Sequence, residues 1–336
     1  MRITTSMMSN RYITDLNKSA EKMNYTSKQV NTGKKFFKGS EDPVAAIKAY
    51  KLRREYRETE IHSTALRDAD SYLTMAETSL TEISSNLEGV YSSYLRGING
   101  TMNTEDRGII VEEIDKLQES MLSSLNSKFS DKYLFGGTSK EEIPFMIDSV
   151  SGDLLYKGIN VNTGKDKDGN TIDMNILAKE SVYVDIGLGD ITKADGSINK
   201  TNLFNLSMSG ISVMGYGTDD TGVYNNLYSV INEIKNELKS DNFSMDKIQP
   251  NLNKFKDQKI KVLISITGIG AKANYIEFLK SKNEDTTMDL NKTLVDVEGV
   301  DIAEAATDFA MQKYQYDAAL SMGNQILQKS FIDYMD

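Results

Sequence analysis

Two ladders of mostly apolar residues, spaced alternately three and four apart, run in from the two ends of this chain of 336 residues. The N-terminal ladder reads Leu66, Ala69, Leu73, Ala76, Leu80, Ile83, Leu87, Val90 and Tyr94. The C-terminal ladder reads Leu252, Phe255, Lys259, Val262, Ile266, Ile269, Ala273, Ile276, Lys280, Asn283, Thr287, Leu290, Leu294 and Val297. That period keeps one stripe of a helix turned toward a partner. If unbroken, the second ladder is a helix roughly 70 Å long at about 1.5 Å per residue. Such lengths suit reach and assembly better than a pocket. The expected fold is mainly α, a long antiparallel coiled coil or helical bundle formed by both chain ends, with a small outer β-rich domain.

The chain has only three prolines, and each marks a boundary. Asp42 is placed to cap a helix that begins at Pro43. Pro144 follows the break at Gly136-Gly137-Thr138-Ser139, and Pro250 directly precedes the long C-terminal ladder. A first segment, about 1–32, carries a short seam at Ile13, Leu16, Ala20, Met23, Ser27 and Val30 and stops at Gly33. A helix follows over about 43–97, and a third over about 105–129 with Ile110, Ile114, Leu117, Met121 and Leu125 on one face.

From about 138 to 222 the period falls to two. Ile143, Phe145 and Ile147 alternate, as do Met174 and Ile176, and Val182, Val184 and Ile186; Ser151-Gly152-Asp153 and Lys167-Asp168-Gly169-Asn170 are turn candidates. Helical period resumes at Leu227, Val230, Ile234 and Leu238, and a last helix is expected over about 300–334. The expected plan is therefore an N-terminal assembly helix (1–42), two halves of a helical rod (43–137 and 223–299) around an inserted β domain (138–222), and a C-terminal assembly helix (300–336).

Catalytic chemistry is hard to build from these residues. The chain has no cysteine and a single histidine, His62, which removes disulfides, thiolate nucleophiles and multi-histidine metal sites together. His62 lies beside the N-terminal ladder and reads as packing. Asp166, Asp168 and Asn170 imitate the start of a calcium loop, but Gly169 is misplaced for one and a β-turn accounts for them. Gly268 to Ala273 has the outline of a dinucleotide fingerprint without the preceding strand, inside the heptad ladder. Glu112 and Glu113, and Glu141 and Glu142, read as solvated surface, and Arg53, Arg54 and Arg57 are interleaved with Glu55, Glu58 and Glu60. No catalytic, cofactor or metal residue is expected, and the chain reads as a non-enzyme.

The net charge of -10 argues against nucleic acid or an anionic membrane as main partner. No run of about 18 apolar residues is found. Residues 1–30 lack the apolar core of a cleaved secretory signal. Absence of cysteine also suits a protein that leaves the cell unfolded.

The two ends carry more apolar surface than each can cover on the other. Ile302, Ala306, Phe309 and Tyr316 form one stripe of the last helix, while Tyr314, Leu320, Ile326, Leu327, Phe331, Ile332 and Tyr334 spread beyond it. With Ile3 and the seam from Ile13 to Val30, these are the candidate assembly residues. Short helices are marginal alone in water, so both ends are expected to be loosely ordered in the free subunit and to fold together when other subunits arrive. The alternative is that they dock on their own rod and complete a monomeric bundle.

Several stretches resemble the flagellin superfamily. Met1-Arg2-Ile3-Thr4 is similar to its opening, as are Gly33-Lys34-Lys35-Phe36 and Ser40-Glu41-Asp42-Pro43-Val44-Ala45-Ala46. Asp131-Lys132-Tyr133-Leu134-Phe135-Gly136-Gly137 is similar to its link between helix and outer domain, and is the most specific of the set. Gly270-Ala271-Lys272-Ala273-Asn274-Tyr275-Ile276-Glu277 and Asp301-Ile302-Ala303-Glu304-Ala305-Ala306-Thr307-Asp308-Phe309 resemble its C-terminal half. The ending Phe331-Ile332-Asp333-Tyr334-Met335 resembles the hook-associated junction members rather than filament-forming flagellin, the first alternative. A coiled-coil signalling protein or enzyme with a β insert is the second.

The resemblance implies an extracellular flagellar component, exported by the type III route without a cleaved signal. It also implies co-assembly with copies of itself, with the first hook–filament junction protein and with flagellin, and an export chaperone at the C-terminal helix.

Overall fold

The computed structural model describes residues 5–98, 102–139, 142–193, 195–240 and 243–326. Eight α-helices carry most of the chain: α1 Thr5–Thr32, α2 Pro43–Gly97, α3 Thr104–Leu125, α4 Met174–Ala178, α5 Gly210–Met214, α6 Leu227–Lys239, α7 Met245–Glu298 and α8 Ile302–Ile326. They are organised in two compact units, one built from residues 61–284 and the other from residues 1–60 and 285–336.

In the larger unit the ladders meet. Leu66, Leu73, Leu80, Ile83, Leu87 and Val90 of α2 are buried together with Leu252, Phe255, Val262 and Ile276 of α7. Tyr91 stacks on Phe255 with ring centroids 6.3 Å apart. The charged rungs of the C-terminal ladder are paired: Lys259 reaches Glu88 at 2.5 Å and Lys280 reaches Asp70 at 2.7 Å. The two lysine side chains are 19% and 31% exposed, and pairing with a carboxylate lets each continue the seam. Ile266 is only half-buried beside the core. Leu290 and Leu294, half-buried as well, belong to the smaller unit. The other side of α2 is covered by Ile110, Val111, Ile114 and Met121 of α3, which in turn meets Ile231, Ile234 and Leu238 of α6.

Two helix boundaries differ from the sequence expectation. α7 starts at Met245, ahead of Pro250, which sits in its second turn. There the missing N–H forfeits a single bond, to the Asp246 carbonyl, and the helix tolerates it. α3 stops at Leu125 rather than near 129 because Asn126 turns out of the helix and holds both backbone groups of Phe145, through Nδ2 at 2.9 Å and Oδ1 at 3.0 Å.

The segment between α3 and α6 holds three small antiparallel sheets. Strand β1 (Lys128–Phe129) pairs with β2 (Lys132–Tyr133) across Ser130 and Asp131, both at positive φ. β3 (Phe145–Ile147), β4 (Leu154–Tyr156) and β5 (Ile159–Asn160) form a meander, and β6 (Tyr183–Val184) pairs with β7 (Phe204–Asn205). Met174 and Ile176, read from their alternation as a strand, instead lie in α4. Asp173 caps that helix, accepting from the Asn175 N–H at 2.9 Å, and a local cap outweighs two alternating residues. The Asp166 to Asn170 stretch is a turn whose Asp166 Oδ1 accepts from the N–H groups of Asp168 and Asn170 at 2.9 and 2.8 Å.

Phe145, Tyr156 and Phe135 fill the centre of this β-rich part, and α5 begins against them at Gly210. A Cβ there would lie 2.5 Å from Phe145 Cε2 and 2.9 Å from Phe135 Cβ. Gly210→Ala is therefore expected to cost about 1–3 kcal/mol through overpacking. Urea unfolding of the full chain checks this; an unchanged midpoint would show that the two rings yield freely.

Candidate assembly site at the paired termini

In the smaller unit α1 and α8 pack along each other. The half-buried positions of α1 include Tyr12, Leu16, Ser19, Met23, Thr26 and Val30, and Ala20 flanks them. On α8, Ala305 is buried and Phe309, Gln312, Tyr316 and Ala319 are half-buried, leading to Gly323. Both series keep three- and four-residue spacing, the geometry of a heptad seam. The Tyr12 hydroxyl donates to the Ala319 carbonyl at 2.9 Å, and a Cβ on Gly323 would stand 2.1 Å from the Tyr12 hydroxyl oxygen. Small residues on α8 thus make room for a tyrosine from α1.

This seam is not the stripe that apolarity alone picks out. Leu16, Ala20, Met23, Val30, Phe309 and Tyr316 line it, whereas Ile13, Ile302, Ala306 and Leu320 are exposed. The seam is offset because alanine, glycine, glutamine and a tyrosine hydroxyl occupy its rungs, and none of these registers as an apolar period. Met7, Met8, Met311, Tyr314 and Met322 are also exposed, Tyr314 at 76%. The side chain of Ile326 and all of Ile3, Leu327, Phe331 and Tyr334 lie outside the described residues.

The two helices are tied to the rest of the unit at one joint. Gly33 ends α1 at φ 67°, a conformation that favours glycine. The chain then forms a short antiparallel bridge between Lys34 and Gly299: Lys35 N–H donates to the Glu298 carbonyl at 2.7 Å, and Val300 N–H to the Gly33 carbonyl at 3.0 Å. The buried Glu298 carboxylate receives Arg53 Nη2 at 2.5 Å, with Lys34 Nζ 4.0 Å away. Beyond the bridge, Glu41 accepts from the Phe37 N–H at 2.8 Å and from the Tyr25 hydroxyl at 3.0 Å. These bonds, the Phe37 N–H foremost, hold its carboxyl below the usual glutamate range. Asp42 caps α2 by accepting from the Ala45 N–H at 3.0 Å.

The Asp131 to Gly137 segment is equally specified. Asp131 turns the β1–β2 hairpin, Leu134 and Phe135 are fully buried, and the Phe135 carbonyl accepts from Gly210 N–H at 3.0 Å and Tyr156 hydroxyl at 3.2 Å. Gly137 takes φ 62° beside Glu180, which accepts from Thr138 N–H at 3.0 Å and Lys157 Nζ at 2.7 Å.

Residues weighed for other chemistry take structural places. His62 packs on Gly187, where a Cβ would come within 2.8 Å of the ring. Gly268 and Gly270 lie inside the continuous helix α7. Arg54 pairs with Glu58 one turn away.

The sequence of residues 3–140 matches the bacterial flagellin N-terminal helical region. The chain is 23% identical over 321 residues to flagellar hook-associated protein 3 of Escherichia coli, covering 95% of both chains. It is 22% identical to the protein of the same name in Salmonella typhimurium, over 64% of this chain and 67% of that one. Among solved structures, FlgL of Xanthomonas campestris matches 73% of this chain and 99% of its own at a TM-score of 0.54 and 14% identity. The flagellar junction protein FlgL of Legionella pneumophila matches 75% and 100% at a TM-score of 0.52 and 13% identity. Those likenesses establish the fold: a helical bundle with a small β-rich part.

Two outcomes follow from these paired termini. Gly323→Ala should open the α1–α8 seam, costing about 1–3 kcal/mol by overpacking, while Tyr12→Phe, losing one hydrogen bond, costs about 0.5–1.5 kcal/mol. Amide exchange along α1 reads both, and equal protection in Gly323→Ala and the parent would refute the seam. Because the Glu41 carboxyl is depressed below its ordinary 4.5, its contribution is present above that value and is lost as pH falls through the depressed one. Exchange of the Phe37 N–H should therefore accelerate on acidification in the parent and be nearly flat with pH, after correction for intrinsic rates, in Glu41→Gln.

Proposed function

We propose that this chain is a structural adaptor of the hook–filament junction, joining the first junction protein on the hook side to flagellin through its terminal helices. The observation that carries the reading is the distribution of apolar side chains on α1 and α8. Their shared seam takes up Leu16, Met23, Val30, Phe309 and Tyr316 among its small and polar rungs, while Ile13, Ile302, Met311, Tyr314, Leu320 and Met322 are left exposed. A helix pair that leaves further large apolar groups outside its own seam is built to be covered by other chains. The resemblance to hook-associated protein 3 across 95% of the chain supports the same role.

Copies of the chain would form a layer, with the helices α1 and α8 of neighbouring copies packing together. The reading is of a non-enzymatic, extracellular subunit, exported through the type III route and met at its C-terminal helix by an export chaperone. The domain plan drawn from the sequence belongs to this proposal: ends for assembly, the middle of the chain outward. Deleting residues 303–336 tests it. The truncated subunit should keep the fold of residues 61–284 by circular dichroism yet fail to join hook-type ends and accept flagellin. Undiminished joining would sink the adaptor mechanism.

A further inference from the structure

The helix α7 is apolar on two opposite faces, and the sequence ladder describes only one of them. Phe255, Val262, Ile269 and Ile276, seven residues apart, are buried against α2. Ile260, Ile264, Thr267, Ala271 and Phe278 share the opposite face by the same three- and four-residue spacing, with Tyr275 at its edge. Ile260, Ile264 and Phe278 are 54%, 64% and 62% exposed. Residues 262–279 contain only two charges, Lys272 and Glu277, and the stretch is apolar enough by composition for a membrane span although it is only 22% buried. A count of unbroken apolar runs overlooks it. At its middle, Thr267, Gly268 and Ala271 are small, and a Cβ on Gly268 would meet nothing within 4 Å. A second backbone could approach closely there. The exposed lysines Lys256 and Lys261 flank the face, and among the described residues Lys261 has no ion pair.

A complementary surface lies elsewhere on the same unit. The α3 and α6 helices and β3 enclose a groove of about 650 Å³ that no α7 residue lines. Ile109 (67% exposed) and Ile147 supply apolar contact, and four carboxylates face two lysines. Those lysines are already engaged, Lys235 with Asp115 at 2.5 Å and Lys116 with Glu119 at 2.9 Å, and Glu113 pairs with Arg96. Glu112 is left without a cation among the described residues. Gln118 is buried and spends its amide N–H groups on the Tyr228 carbonyl and Asn232, and its Oε1 has no partner among the described residues. The groove wants a donor and a positive charge beside an apolar strip.

We infer that the outer face of α7 from one copy docks in the α3–α6 groove of a second copy, with Lys261 against Glu112. Two different patches meeting in this way make a head-to-tail contact, which closes as a ring or continues as a helix rather than ending at a dimer. The inference deepens the adaptor reading, because it supplies a lateral contact independent of the terminal helices.

The chain contains no cysteine, so single introduced cysteines report the contact cleanly. Full-length Ile264→Cys and Ile109→Cys are concentrated together under mild oxidation, without hook ends. The mixture should yield cross-linked dimers that neither variant yields alone. Glu112→Lys in the Ile109→Cys partner should lower the yield several-fold, and Lys261→Glu in the Ile264→Cys partner should restore it. Absence of the mixed product, or cross-linking of Ile264→Cys with itself, overturns the inference. Binding of the chain to phosphatidylglycerol vesicles in place of a mixed product would assign the face to a membrane and overturn it equally. Joining of hook-type ends by the same variants is scored separately, so the adaptor reading can stand or fall independently.

Discussion

The contact on which the larger unit depends is the seam between α2 and α7. Most of its rungs are buried aliphatic or aromatic side chains, at roughly 1.5–3 kcal/mol per large side chain removed from water, and they come from stretches far apart in sequence. Leu80 and Ile83 come from one arm of the chain, Val262 and Ile269 from the other. Everything between those arms is thereby closed into one long excursion. The small sheets have strands of two or three residues, too short to be stable alone. They are held by Phe135, Phe145 and Tyr156 packed beneath the helices and by specific side-chain bonds such as Asn126 on Phe145 and Glu180 on Thr138.

That dependence explains which parts of the fold were legible. Regular burial writes a regular pattern, so the α2–α7 seam, the start of α2 at Pro43 and the halt of α1 at Gly33 could be read directly. Short strands write almost none. The alternation of Met174 and Ile176 covers one period and was overruled by a single capping carboxylate on Asp173. At Pro250 the rule that proline opens a helix misled, because the helix begins a turn earlier and proline costs little there.

The terminal pair was legible in kind but not in register. Apolar spacing located a seam on each helix, yet the actual rungs include Ser19, Thr26, Gln312 and Gly323. What sets that register is steric: Tyr12 needs the space that only glycine at 323 leaves, and its hydroxyl needs the Ala319 carbonyl. Complementarity between two surfaces is a property of the pair and is not visible in either alone. Ile13, Ile302 and Leu320 then fall outside the seam, while Leu16, Met23, Val30, Phe309 and Tyr316 stay within it.

The same inversion recurs on α7, and charge explains why it is tolerable. A copy carrying -10 repels its neighbours at long range, which keeps exposed apolar faces apart until they meet a surface of the right sign. Among the described residues Lys261 beside the outer face of α7 carries an unpaired positive charge, and Glu112 of the α3–α6 groove an unpaired negative one. Complementary charge of this kind selects partner and orientation more than it adds affinity; the apolar strip, with close approach at Gly268, supplies the affinity. An assembling subunit needs both properties at once, solubility while it is free and a single docking geometry when copies meet. A chain that hides all its apolar side chains could have the first without the second.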